Sequence, residues 1–337
     1  MRAFVVTAPG RGDVLEVPRP TVGPGEVVVE VERVGLCGTD VELFNGTMAY
    51  LAEGHTNFPL RLGHEWAGTI VDTGDGVDAA WRGRRVTGDT MLGCGRCRRC
   101  LTGRQHVCGD RGELGVRDGR PGALAELLLV PATSLHALPD KVDPAMGALV
   151  EPGGNAIRAA LAATGGGAER VLVAGPGTIG LLTALFAQVQ GAEVHVLGTR
   201  APELAFARSL GLQAAWTADT LPELPFDAVV DATNAPALPA RALDLVEPGG
   251  RVVYIGLAEQ PSHIDTRTLA LKDVTAVGVL SASPGLAATV QAYASGAVDP
   301  RPLVAATVGL DDVAQVLAGS RPDGAGPGPK VHVDPRT

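Results

Sequence analysis

The sequence predicts a two-domain α/β protein, in which a β-rich, barrel-like domain is joined to a doubly wound domain built on a parallel sheet. Three observations carry that prediction. The chain has 337 residues, too many for one comfortable core when domains usually run about 100–200 residues. After Pro152 the hydrophobic rhythm changes, from short β-rich runs broken by Gly and Pro to apolar strands alternating with helices. A glycine-rich turn then stands between one such strand and the helix that follows it.

Composition narrows the class. Apolar content of 45%, charged content of 19% and many Gly and Pro describe a globular chain rich in turns. The longest apolar stretches, such as Ala123 to Val130, fall well short of the roughly 20 residues a bilayer requires. The opening Met1 to Thr7 has no long apolar signal region and reads as a first strand, so a cytoplasmic protein is expected. A formal charge of −9 opposes binding to a nucleic-acid backbone, which needs a basic face to displace counterions. The expected partner is a small-molecule substrate, with no nucleic acid and no membrane.

In the first 150 residues the β-rich runs are Glu26 to Val34, Ala67 to Val71 and Ala123 to Val130, a pattern of antiparallel strands. From Ala156 to Ala163 a helical stretch leads into strands at Arg170 to Ala174, Glu193 to Leu197, Phe226 to Asp231, Arg251 to Ile255 and Val274 to Val279. Separated by helices, these predict a parallel sheet. Leu286 to Ser295 and Leu310 to Ala318 read as helices, and Lys330 to Val333 as a closing strand that returns to the first domain. The expected division is 1–152 with 288–337, including a lobe at about 90–110, against 153–287.

Gly175-Pro176-Gly177-Thr178-Ile179-Gly180 directly follows the strand Arg170 to Ala174 and opens a helical run. In that position the first glycine permits the turn, the second lets backbone N–H groups approach a pyrophosphate, and the third lets helix and strand pack closely. The helix N-terminus faces the anion. This is a Rossmann dinucleotide site. At the end of the next strand, where an acid would bind the ribose 2′-hydroxyl of NAD, the sequence reads Gly198-Thr199-Arg200. Gly198 leaves room, Thr199 offers a hydroxyl and Arg200 suits a 2′-phosphate, so NADP is preferred and NAD remains possible. An Arg200 that is merely a solvated helix-start residue is the competing explanation.

Four of the five cysteines, Cys94, Cys97, Cys100 and Cys108, crowd into one loop. Such spacing in a cytosolic chain favours metal over disulfides, and four thiolates close a tetrahedron around Zn²⁺ with no open position. An iron–sulfur cluster is the competitor. The arginines Arg96, Arg98, Arg99 and Arg104 would offset the charge of a four-thiolate site.

Cys37 in Gly35-Leu36-Cys37-Gly38-Thr39-Asp40, His64 in Gly63-His64-Glu65 and Glu151 in Glu151-Pro152 stand apart from that loop. Three protein ligands with one open position make a catalytic zinc site, and Glu151 falls at the predicted domain junction, where pockets form. With Gly63, His64, Glu65, Gly68, Gly74 and Val77 completing G-H-E-x2-G-x5-G-x2-V, the chain resembles the zinc-containing medium-chain alcohol and polyol dehydrogenases over essentially its whole length. The resemblance implies a GroES-like first domain, two zincs per chain, and a homodimer or homotetramer. It departs from the two-Cys, one-His form of the catalytic site and is similar to the sorbitol, glucose and threonine dehydrogenase branch, which implies Glu151 as third ligand. Glu65 is implied to approach or replace a ligand in some states.

The same resemblance implies that Thr39 passes the alcohol proton toward the cofactor, and Asp40 reads as the group that orients His64. Relatives carry a relay histidine where this chain has Glu42, which either serves in its place or is a solvated surface acid. Phe44 to Leu60 is implied to line the substrate entrance. Its polar residues Asn45, Thr47, Tyr50, Glu53 and His55 favour a hydroxylated substrate such as a polyol, sugar or cyclitol, aminocyclitols included. The rival readings are a zinc-free quinone or enoyl reductase of the same superfamily and a non-catalytic zinc- and nucleotide-binding protein.

Overall fold

The structure, a computed structural model, describes residues 1–258 and 260–337. Two compact units divide the chain: Met1–Glu151 with Asp299–Thr337, and Pro152–Val298.

The first unit starts with the hairpin β1 (Arg2–Ala8) and β2 (Arg11–Glu16). Its main sheet is entered by β3 (Glu26–Gly35), whose alternating valines fill the core, and continues after α1 (Gly38–Asn45) and α2 (Ala49–Ala52) with β4 (Glu65–Thr73) and β5 (Arg85–Gly88). A lobe follows, with β6 (Met91–Leu92), the short helix α3 (Arg98–Leu101) and β7 (Gly112–Glu113). The chain then supplies β8 (Leu127–Pro131), β9 (Leu135–Ala137) and α4 (Pro144–Ala148) before α5 (Val150–Thr164). The apolar run from Ala123 is a strand only from Leu127. Upstream, Leu124 accepts from Phe4 N–H at 2.8 Å and donates to the Leu62 carbonyl at 3.0 Å, so its backbone is satisfied by two different segments rather than by one ladder.

The second unit is a six-stranded parallel sheet in the order β12-β11-β10-β13-β14-β15. Its parts in chain order are β10 (Arg170–Ala174), α6 (Thr178–Val189), β11 (Glu193–Leu197), α7 (Ala201–Ser209), β12 (Ala215–Trp216), β13 (Phe226–Asp231), α8 (Leu238–Leu245), β14 (Val246–Tyr254), α9 (Thr266–Leu271), β15 (Thr275–Gly278) and α10 (Leu286–Ser295). The order reverses direction at β10, the central parallel strand that runs into the glycine-rich turn. Such a switch point is where doubly wound sheets bind ligands. Helix α10 stays with this unit, so the return falls at Asp299 rather than at 288. Tyr293 of α10 stacks on Phe186 of α6 with centroids 6.2 Å apart, and Gly153 leaves room for its ring.

The tail then completes the first unit with β16 (Val304–Val308), α11 (Val313–Leu317) and β17 (Lys330–Val333). The resulting sheet runs β16-β17-β3-β4-β5-β9, with β8 also paired to β3. Leu310, Val313 and Leu317 sink into the same apolar core as Phe4, Val29 and Trp66.

Candidate active site and metal centres

The register of three neighbouring strands builds the first cluster. Gly35 at the end of β3 pairs with Glu65 of β4 on one side and with His332 of β17 on the other. Cys37, two residues beyond Gly35, is therefore carried to the edge where β4 begins. It caps α1, and its own N–H donates to Asp40 Oδ2 at 3.0 Å. Gly63 adopts a φ of 97°, a left-handed turn that costs glycine little, and a side chain there would strike the Leu124 backbone. The turn delivers His64 so that its Nε2 lies 3.1 Å from Cys37 Sγ. Ligand atoms of Cys37, His64 and Glu65 all fall within 4.8 Å of one another.

Asp40 is fully buried and accepts from Gly63 N–H at 3.2 Å. Its Oδ1 is 3.5 Å from His64 Nδ1, an ion-pair separation rather than a formed hydrogen bond. Burial works against charge on His64, yet the adjacent Cys37 and Asp40 outweigh it and hold the imidazole well above its usual pKa. The Cys37 sulfur and the Asp40 carboxylate thus favour positive charge beside the imidazole. A divalent cation meets that demand with S, N and O ligands of the kinds zinc takes.

Glu65 is already engaged. Both its oxygens accept from Lys330 Nζ, at 2.8 and 2.7 Å, and the third ammonium proton goes to the Leu36 carbonyl at 2.8 Å. Entry of Glu65 into a metal shell requires giving up part of that pairing. Glu151, buried in the first turn of α5, is not a member of the three-residue cluster. Sequence reasoning passed over Lys330. It stands 265 residues from Glu65, and its one local signal is a lysine at the head of a short buried strand.

The four cysteines of the lobe form the second cluster. Their sulfurs are separated by 3.6 Å (Cys97 to Cys100), 3.7 Å (Cys97 to Cys108) and 4.0 Å (Cys94 to Cys100). Zinc–sulfur bonds of about 2.3 Å in a tetrahedron put sulfurs about 3.8 Å apart, whereas a disulfide needs about 2.05 Å. The spacing fits a tetrahedral ion. Backbone N–H groups of Cys100 and Asp110 donate to Cys97 and Cys108 sulfurs, and such donors hold the Cys94 thiol down at about 6. Burial among its neighbours pushes Cys100 up to about 12, the conflict that a central cation removes. Of the arginines, Arg96 faces Asp110 at 3.8 Å, and Arg98, Arg99 and Arg104 line an exposed concavity.

Thr39 lies half-buried in the first turn of α1, and Glu42 is one turn on, on the same helix face. In the segment expected at the substrate entrance, Phe44 belongs to the core. Tyr50 and His55 meet edge to face with centroids 5.6 Å apart.

In the second unit the glycine-rich turn has the expected form. A Cβ on Gly180 would sit 1.9 Å from the Gly175 carbonyl, so only glycine lets helix and strand close. A Cβ on Gly177, the N-cap of α6, would meet nothing within 4 Å. That bare backbone lies beside the helix-start N–H groups of Thr178, Ile179 and Gly180, an arrangement that can hold a phosphate, with Pro176 between the two turn glycines. Gly198 has a packing reason of its own, since a Cβ would lie 2.8 Å from Pro176 and 3.0 Å from Leu204. Beyond it come Thr199 and Arg200; the Arg200 guanidinium is exposed and pairs with Glu203 of α7.

A parallel sheet with a glycine-rich strand-to-helix turn and a separate cysteine–histidine cluster point to a nucleotide-dependent metalloenzyme class. Residues 23–140 match the alcohol dehydrogenase GroES-like domain, and residues 178–295 match the zinc-binding dehydrogenase domain. The chain is 33% identical to the L-threonine 3-dehydrogenase of Mesorhizobium japonicum over 95% of its length and 94% of the relative's. Two solved structures are similar to it at 26% identity. A zinc-binding dehydrogenase of Sinorhizobium meliloti 1021 bound to NADP matches with a TM-score of 0.89, covering 99% of both chains. Galactitol-1-phosphate dehydrogenase of Escherichia coli matches with a TM-score of 0.87, covering 99% of this chain and 100% of that one.

The chain belongs to the zinc-dependent medium-chain alcohol dehydrogenase family. It is an NAD(P)-dependent oxidoreductase acting on a small-molecule alcohol, with threonine and polyol dehydrogenases among its neighbours. Among the described residues no helix is long and apolar enough to cross a membrane.

Proposed function

We propose that this chain interconverts a secondary alcohol and its ketone, using NADP(H) in preference to NAD(H), with a catalytic zinc on Cys37, His64 and Glu151 and a structural zinc on the four-cysteine lobe. The observation that carries the reading is the 3.1 Å approach of Cys37 Sγ to His64 Nε2 in a buried pocket that favours a cation. When bound, zinc polarises the substrate oxygen and lowers the alcohol's pKa, and the nicotinamide accepts the hydride.

The protein's own residues do the rest. Asp40 holds the His64 ring from behind and keeps its far nitrogen aimed at Cys37. Thr39 accepts the substrate proton on its hydroxyl oxygen as it gives up its own toward the cofactor ribose, and Glu42, one turn along α1, is the carboxylate that receives the relayed proton on the way to solvent. Glu65, released in part from Lys330, is the carboxylate available to stand in when Glu151 withdraws. Arg200 exchanges Glu203 for the 2′-phosphate of NADP, a charge-assisted pairing stronger than an exposed ion pair.

The substrate is a polyol, sugar or (amino)cyclitol, a reading supported by the polar residues around Tyr50 and by relatives named for threonine and galactitol 1-phosphate. The chain works in the cytoplasm as a homodimer or homotetramer, and the exposed edge strand β15 supports self-association. Metal analysis with a substrate panel run on both cofactors tests all of this. Two zincs per chain, chelator-sensitive turnover and higher kcat/KM with NADP are expected. One zinc per chain with no alcohol turnover would overturn the catalytic assignment, and a clear NAD preference the cofactor assignment.

A further inference from the structure

Glu113 in β7 has a side chain only 6% exposed, and the chemistry above makes no use of it. Its Oε1 accepts from Arg111 Nε at 2.9 Å and from the Tyr50 hydroxyl at 3.2 Å. Burial, reinforced by the Glu113 charge, pushes the Tyr50 phenol up, so Tyr50 keeps the proton it donates. Arg111 Nη1 donates to the Cys108 carbonyl at 3.3 Å, which ties the carboxylate to the cysteine lobe. On the other side, Leu114 N–H donates to the Thr90 carbonyl at 3.0 Å, and the Thr90 hydroxyl donates to the His64 carbonyl at 3.2 Å. Glu113 is thus anchored between the two cysteine-bearing clusters, against the helix that carries Tyr50.

The way the two donors share one oxygen is informative. Arg–carboxylate pairs are frequently bidentate, with both oxygens held in a fork. Here Arg111 presents Nε to the same oxygen as Tyr50, and among the described residues nothing bonds Oε2. A fixed, nearly dry acceptor of this kind rewards a ligand that brings a donor and penalises one that leaves it unpaired.

We propose that Glu113 is a specificity residue, whose Oε2 accepts a hydrogen bond from a second donor group on the substrate, a hydroxyl or an ammonium, beyond the carbinol that reacts. The proposal rests on the reading of Cys37 and His64 as the alcohol-oxidising centre, and it narrows the substrate to alcohols that carry such a donor.

The test is steady-state kinetics of the zinc-loaded enzyme with 2-propanol, 2,3-butanediol and L-threonine. Wild type is expected to prefer one of the two donor-bearing alcohols over 2-propanol. In Glu113→Leu that preference, as a ratio of kcat/KM values, is expected to fall at least tenfold, chiefly through KM. Glu113→Gln separates the two donors, because its amide oxygen still accepts from a hydroxyl but no longer balances an ammonium. Retained preference in Glu113→Gln assigns a hydroxyl, and loss equal to that in Glu113→Leu assigns an ammonium. Should Glu113→Leu fail to fold, Tyr50→Phe removes one of the two anchors and is expected to lower the same ratio several-fold. A ratio unchanged in Glu113→Leu or, where that variant does not fold, in Tyr50→Phe, or a wild type without preference, overturns the inference and leaves the dehydrogenase reading standing. Absence of turnover with every alcohol sinks that reading and the inference with it.

Discussion

Replacing His332 by leucine should remove a large part of the protein's acid sensitivity between about pH 7 and pH 5. His332 sits in β17 between β16 and β3, wholly buried, and among the described residues neither ring nitrogen has a hydrogen-bond partner. Burial first, then the neighbouring charges of Lys330 and Arg33, depress its pKa from 6.5 to about 3. A base with a depressed folded pKa is neutral in the fold and takes up its proton more readily once unfolded. Its contribution is therefore intact above about pH 6.5 and drains away as pH falls toward about 3. At pH 5 the gap to the unfolded value is about 1.5 units, which at about 1.4 kcal/mol per unit destabilises the fold by about 2 kcal/mol. Urea unfolding followed by tryptophan fluorescence, at a series of pH values, measures this for wild type and His332→Leu. Proton uptake at the cysteine and histidine clusters as pH falls affects both proteins alike, so the difference between the two curves isolates His332. Leucine also removes two unsatisfied nitrogens, so the variant is expected to be at least as stable at neutral pH. Parallel curves down to pH 5 would refute the reasoning.

Lys330→Met leaves Glu65 buried without its cation, and breaking such a pair costs about 3–5 kcal/mol; the double variant Lys330→Met with Glu65→Gln should recover much of that loss in the same unfolding assay, and equal stability of Lys330→Met and wild type would contradict the pairing. Gly177→Ala should fold normally, because its Cβ meets open space, while NADP affinity measured by titration calorimetry falls at least about tenfold as the methyl fills the phosphate cradle. Gly180→Ala, whose Cβ would lie 1.9 Å from a carbonyl oxygen, should instead lower thermal stability; the reverse ranking of the two variants would show that the turn has been misread.

Legibility in this sequence followed locality. The four-cysteine lobe and the glycine-rich turn each close within a few residues, so spacing alone carries their geometry: Cys97 to Cys108 spans one loop, and Gly175 to Gly180 one strand-to-helix turn. The strands Arg170 to Ala174, Glu193 to Leu197 and Phe226 to Asp231 were readable for a related reason. Strands buried on both faces of a parallel sheet are continuous apolar runs. Cys37 and His64, 27 residues apart, gained meaning from the full G-H-E signature rather than from periodicity.

What the sequence by itself determined is therefore the class of chemistry: the ligand types, the cofactor cradle and the two-domain α/β plan. The tertiary structure decided which charges confront one another. Lys330 meets Glu65, and His332 lies dry beside Gly35, because β17 slots in next to β3 almost 300 residues later in the chain. Glu113 meets Tyr50 because the lobe folds back on α2. Such pairings are set by sheet register and loop return, which depend on the summed burial of many side chains and leave no mark within any one segment.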